Sequence, residues 1–245
     1  MSRGMVLGFL VVMAWACRVQ LPVDRVEDQR IAVTASLPED EEMTAIIAPY
    51  KVSLDAKMDR YLAYTPVALD KQGMNNTLGI FAAEALKAVI NDRRAAAGMP
   101  EVDIVLINIG GLRRSFAAGE LTVRSMYELM PFENEAVTVT LPGSVMTDVL
   151  RFLRKERRGT PVAGMQIFVQ DSLRGGRVNE ADIDPAREYT VLTNDYLLTG
   201  ADGMEFFRKA THRHDENIKI RDLFIQYLES IDTVRVDRSP AYIMN

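Results

Sequence analysis

Between Asn76 and Asn108 the chain reads as a capped amphipathic helix, a stop, and a short apolar strand. Leu78, Phe81, Ala82, Ala85 and Val89 recur at helical spacing over residues 77–97. Asn76 is placed to cap the start, and Gly98 and Pro100 end the helix. A buried-type strand, Asp103 to Asn108, follows almost at once. The same alternation continues on both sides. Helices are predicted from Glu41 to Arg60 (Met43, Ile46, Ile47, Tyr50 and Leu54 roughly on one side), from Ser144 (Met146, Val149, Leu150, Leu153) and from Ile220 to Ile231. Strands are predicted over 62–69, 135–141, around Met165, Ile167 and Val169, and over 189–193, with Gly175-Gly176 as a hairpin turn. Several connections are too short for crossover helices, so the sheets are partly antiparallel. The expectation is a single mixed α/β (α+β) domain.

Length and charge narrow the class. The 245 residues are ample for one large core, and 48% apolar with 26% charged residues is ordinary for a globular chain. A net charge of −5 argues against a non-specific nucleic-acid binder, so no nucleic-acid polymer is expected as a partner.

The first 17 residues differ from the rest. Arg3 precedes an apolar run from Met5 to Ala16, short for a membrane-spanning helix but suited to the central region of a signal peptide. It ends at Ala14-Trp15-Ala16-Cys17, and Cys17 is the one cysteine of the chain. That arrangement is similar to a bacterial lipobox, in which the thiol is lipidated; the other reading is an ordinary signal peptide cleaved nearby. Residues 18–39 are polar and acidic with Pro22 and Pro38, and read as a flexible tether, or as an edge strand at Ile31–Thr34. The domain proper is expected over 40–245, with acidic residues opening its first helix.

Three segments place unusual residues at breaks in regular structure, where binding groups tend to sit. In Asn108-Ile109-Gly110-Gly111-Leu112-Arg113 the paired glycines permit a sharp turn, and Arg113 offers a fork of donors for phosphate or carboxylate; such a turn is also common as plain structure. In Pro131-Phe132-Glu133-Asn134, Phe132 is either a core side chain or a stacking face for a planar base, with Asn134 able to donate and accept at the edge of that base. In Thr193 to Gly203, Tyr196 is a second aromatic and Asp202 an acceptor, unless Asp202-Gly203 is simply a solvated turn.

Taken in order, these segments resemble the C-terminal domain of the 5′-nucleotidase family, which carries Asn-x-Gly-Gly-Ile/Leu-Arg, Pro-Phe-x-Asn and Thr-Asn-x-Phe/Tyr…Gly-Asp-Gly turns. Asn76-Thr77-Leu78-Gly79 resembles the start of that family's long helix. The resemblance implies a layered α/β/β/α sandwich. It implies that Phe132 and Tyr196 sandwich a nucleobase, that Asn134 meets the base edge, that Asp202 holds the ribose and that Arg113 reaches phosphate. Asn108, Gly110 and Gly111 form the turn beneath, and Gly159 lines the base pocket. The chain departs from the family in the stretch Asp70–Asn75, where family members carry phosphate-gripping arginines and this chain has Lys71 alone.

In that family, hydrolysis takes place at a two-metal site in a separate metallophosphoesterase domain. No catalytic or metal-binding residue and no cofactor is expected in this chain; its histidines, His212 and His214, read as part of a solvated loop between helices or as a small metal patch. Three functions follow. The chain is the nucleoside- or nucleotide-binding half of a split 5′-nucleotidase, with divalent metals held by a partner metallophosphoesterase chain. Alternatively it is a surface lipoprotein that binds nucleosides or nucleotides without catalysis, or a degenerate interaction module. Export to the bacterial periplasm or cell envelope, with membrane contact only through a lipid on Cys17, is expected in each case. Replacing Cys17 by Ser should move the chain from the membrane fraction to the soluble fraction of a bacterial host; an unchanged distribution removes the lipid anchor.

Overall fold

The computed structural model describes residues 28, 30–34, 36–169, 175–236 and 241–244. The signal region with Cys17 and most of the proposed tether lie outside them, as does the segment just before Gly175. The chain divides into two units, residues 1–48 and 49–245. In the first, the described residues before Asp40 are exposed and belong to no helix or strand. Helix α1 (Glu41–Met58) then begins with the Asp40 carboxylate accepting the Met43 N–H at 3.0 Å. None of its residues is fully buried: Met43, Ile46, Ile47, Tyr50 and Leu54 are exposed, and Met58 at its end is partly buried against the core. No helix among the described residues is long and apolar enough to cross a membrane.

The second unit holds the described sheets. In chain order they are built from β1 (Tyr61–Thr65), α2 (Thr77–Ala96), β2 (Ile104–Leu106), β3 (Gly119–Thr122), α3 (Val123–Leu129), β4 (Glu135–Pro142), α4 (Met146–Lys155), β5 (Val162–Ala163) and β6 (Met165–Phe168). They continue with β7 (Gly176–Val178), β8 (Ala181–Asp182), β9 (Glu188–Asn194), β10 (His212–Lys219), α5 (Ile220–Glu229) and β11 (Tyr242–Ile243). The central sheet has the order β10-β4-β9-β2-β5. Its β9 runs parallel to β2 (Ile104 opposite Val191) and antiparallel to β4 (Ala136 opposite Asn194). A second sheet has the order β11-β6-β7-β8, and β1 pairs with β3.

Alternation along β2 explains the layering. Val105 and Ile107 face one core with Leu78, Phe81, Leu86 and Ile90 of α2 and Leu223, Phe224 and Leu228 of α5. Ile104 and Leu106 face the other, with Val149, Leu150 and Leu153 of α4 and Met165 and Ile167 of β6. Helices therefore cover one face of the central sheet, and α4 with the second sheet covers the other, giving the mixed α/β layers expected from the sequence. The α2 ends are as read: the Asn76 side chain accepts the Gly79 N–H at 2.6 Å, and Gly98 follows in the left-handed region at φ +67°. Strand β4 departs from simple alternation, because Ala136, Val137, Thr138 and Val139 are all buried between the two cores. His212 and His214 also differ from expectation. They lie in β10, an exposed edge strand opposite Thr140 and Thr138, where charged side chains keep the open edge soluble.

Thr138 carries the polar part of this interior. Arg94 of α2 donates to its hydroxyl at 3.1 Å and to Glu216 of β10 at 2.6 Å, and the Thr138 hydroxyl donates to Glu216 at 2.9 Å. The Arg94 and Glu216 side chains are 5% and 7% exposed, so the pair sits in a desolvated setting. Removing one partner leaves a buried charge without its counterion, and Arg94→Ala should cost about 3–5 kcal/mol in urea unfolding. Replacing both by apolar residues, as in Arg94→Met with Glu216→Leu, should recover most of that loss.

Candidate functional site

Parallel pairing sends β2 and β9 out of the sheet on the same side, and antiparallel β4 enters it there. The turns after β2, before β4 and after β9 consequently meet at one edge. They enclose a cleft of about 420 Å³ lined by Asn108, Gly110, Gly111, Arg113, Phe132, Asn134, Arg158, Tyr196 and Asp202. Crevices at the carboxyl ends of adjacent parallel strands are a recurrent place for ligands.

The first turn is a 3-10 turn over Ile109–Gly111. A Cβ on Gly111 would stand 2.9 Å from the Asn108 side-chain oxygen, so glycine leaves the Asn108 amide room to lie across the turn. That amide donates to Asp202 Oδ2 at 2.6 Å, joining the first turn to the third. The Tyr196 hydroxyl donates to Asp202 Oδ1 at 3.2 Å. The negative charge of Asp202 raises the Tyr196 hydroxyl above its usual range, which keeps it a donor. Asp202 itself holds the left-handed conformation at φ +53°, between Gly200 and Gly203 at +83° and +80°. A carboxylate accepts up to about four hydrogen bonds, so Asp202 keeps acceptor capacity facing the cleft.

Phe132 and Tyr196 are 40% and 45% exposed, which takes both out of the core. The Arg113 guanidinium lies 5.9 Å from the centre of the Phe132 ring and donates to the Gly110 carbonyl at 3.3 Å. The Phe132 turn is tied down from behind by the start of α5. Ile220 N–H donates to the Asn134 carbonyl at 3.0 Å, Lys219 pairs with Glu133, and buried Arg221 donates to Glu133 at 2.8 Å. Hydrogen bonds from Lys219 and Arg221 lower the Glu133 carboxyl to about 2.

Two placements were not legible in the sequence. Arg158 lines the cleft, its guanidinium gripped by Glu156 through bonds of 2.9 and 2.8 Å. It carried no signal as the last residue of the charged run Arg154-Lys155-Glu156-Arg157-Arg158, and only the fold brings it to the same cleft as Arg113. Its neighbour Gly159 is the one expected lining residue that the structure places elsewhere. Gly159 is buried at φ +78° against the turn before α2, where an added Cβ would fall 2.3 Å from the Met74 carbonyl oxygen. Glycine is needed there for close packing, and it delivers Arg158 to the rim. Lys71 donates to the Leu112 carbonyl, beside Arg113. Its amine is lowered first by burial and then by the charges of Arg113 and Arg158, so three cations stand near one another.

The donor set does not suit a metal. Among the described residues no group of three His, Cys, Asp or Glu side chains is placed to hold one. The cleft's own carboxylate, Asp202, is already shared between Asn108 and Tyr196.

Comparison with known proteins agrees with the fold. The family model described as 5′-nucleotidase, C-terminal domain, matches residues 63–209. The chain belongs to the 5′-nucleotidase C-terminal domain family. Among relatives of this family, the trifunctional nucleotide phosphoesterase protein YfkN of Bacillus subtilis is 26% identical over 79% of this chain and 14% of its own length. Protein UshA of Escherichia coli is 20% identical over 72% of this chain and 32% of its own. The solved structure of a 5′-nucleotidase precursor from Thermus thermophilus shares the fold with a TM-score of 0.63, at 21% identity, over 84% of this chain and 44% of that one. The chain thus spans less than half the length of each of these relatives.

The charge clamp behind Phe132 makes a measurable statement about pH. Glu133 is held below its ordinary value of 4.5, so its pairing stabilises the fold fully above 4.5 and is lost as pH falls through about 2. Melting temperature should therefore decline across that interval, and Glu133→Gln should flatten the decline; an unchanged acid profile would mean that the clamp contributes nothing.

Proposed function

We propose that this domain is the nucleotide-holding half of a 5′-nucleotidase, and that the cleft at the β2–β9 edge takes the nucleotide. The observation that carries the reading is the convergence on one cleft of two exposed aromatic faces, an oriented carboxylate and cations. Phe132 and Tyr196 take the base between them, each face contributing roughly 1–3 kcal/mol. Asn134 presents an amide to the base edge. Asp202 accepts from ribose hydroxyls, as its remaining acceptor sites allow. Arg113 and Arg158, with Lys71 behind them, take the phosphate, the guanidinium fork being suited to a phosphate edge.

Hydrolysis in this reading occurs at divalent metals carried by a metallophosphoesterase partner chain, no three potential ligands being gathered among the described residues. This chain's share of the reaction is to bind, orient and present the phosphate. Residues 1–17 export it to the bacterial cell envelope, where a lipid on Cys17 holds it. The alternatives are nucleoside capture without catalysis and a purely structural interaction module; both lack the partner's contribution.

Calorimetric titration with AMP and adenosine tests the cleft. AMP should bind more tightly than adenosine, Arg158→Met should narrow that difference, and Phe132→Ala should weaken both by about 1–3 kcal/mol. Absence of saturable binding to either ligand sinks the reading. Addition of a candidate metallophosphoesterase and a divalent metal should release phosphate from AMP faster than that partner alone; an equal rate removes the split enzyme and leaves capture.

A further inference from the structure

We infer that Arg221, outside the cleft and out of reach of its ligand, is a positioning residue that sets the angle of the Phe132 ring for base stacking. The inference rests on the cleft reading and adds a residue that the reading does not use. Arg221 is the second residue of α5 and is 3% exposed. Its guanidinium donates from Nη1 to the Met130 carbonyl at 3.3 Å and to the Phe132 carbonyl at 3.2 Å. These acceptors bracket Pro131 and fix the backbone on both sides of the Pro131–Phe132 peptide. Nη2 reaches Glu133 at 2.8 Å, and the guanidinium lies 4.0 Å from the centre of the Tyr127 ring.

The arrangement is costly as a source of stability alone. A guanidinium taken out of water needs all its donors met. Here Nε is buried without a hydrogen-bond partner, with Asp222 Oδ1 at 4.0 Å. What the charge does obtain is a single geometry for one turn. Two carbonyls, one carboxylate and one aromatic face converge on a planar, rigid fork, which a flexible amine does not reproduce. The turn so fixed carries a phenylalanine that is 40% exposed, with the Arg113 guanidinium 5.9 Å from its ring centre, so the ring's direction depends largely on the backbone of that turn. Loss of the fork frees the turn to tilt while the sheet behind it stays paired.

A double-substitution experiment on the full chain separates positioning from general support. Adenosine and ribose 5-phosphate are titrated against the unsubstituted chain, Arg221→Met, Phe132→Ala and the pair. Arg221→Met should lower adenosine affinity by about tenfold, within what one aromatic face supplies, and leave ribose 5-phosphate unchanged. In the Phe132→Ala background Arg221→Met should have no further effect on adenosine, because it acts through that ring. Arg221→Lys should not restore affinity. Equal losses for both ligands, additive losses in the pair, or a lower melting temperature with adenosine binding intact would each overturn the inference. If Arg221→Met does not fold, Tyr127→Leu removes the platform under the same fork and is judged by the same criteria. Phe132→Ala alone with unaltered adenosine binding would overturn the cleft reading itself and this inference with it, a result distinguishable from failure of Arg221 alone.

Discussion

The placement of β9 between a parallel neighbour and an antiparallel one is the constraint on which the site depends. Strand direction decides at which edge a chain leaves a sheet, and side-chain chemistry has no say in it. With β2 parallel, the Asn108 turn and the Asp202 turn leave together. With β4 antiparallel, the Phe132 turn arrives where they leave. The 2.6 Å bond from Asn108 to Asp202 is a consequence of that order. It could not form if β2 ran the other way.

Charge is arranged around this edge in two tiers. Behind Phe132, the one Glu133 carboxylate pairs with two cations, Lys219 and Arg221. In the cleft stand Arg113 and Arg158, and Lys71 donates to the Leu112 carbonyl beside them, its amine lowered first by burial and then by those two charges. Glu156 is committed to Arg158 through both of its oxygens, and this offsets part of the repulsion without filling the space in front of Arg113.

Much of the fold was legible because its signals are local. The Asn76 cap, the Gly98 stop and the 3.6-residue period of α2 all act within one element, so the chain declares them in order. The turns holding Asn108, Phe132 and Asp202 could be seen as breaks, and their order carried the family resemblance. Arg158 and Arg221 could not be seen, because what matters about them is a neighbour 45 or more positions away. Strand β10 was hidden because its edge position selects Arg213, His214 and Asp215, residues that read as loop. Helix α1 shows the opposite failure: Met43, Ile46, Ile47, Tyr50 and Leu54 do recur on one side, but Ala45, Ala48, Val52 and Ala56 lie opposite them, so the helix has almost no net apolar face.

The same topology dictates when the site can exist during folding. Asn108 and Asp202 are separated by 94 positions, and the Glu133–Arg221 contact spans 88. Closing loops of that size is slow compared with forming a helix such as α2. As the chain emerges from the ribosome, its first two motifs are present well before anything holds them together. Only after β9 has inserted between β2 and β4, and α5 has locked the turn, does a cleft appear. The cleft is therefore a product of the last stage of folding, absent from any partly folded form that lacks the central strand.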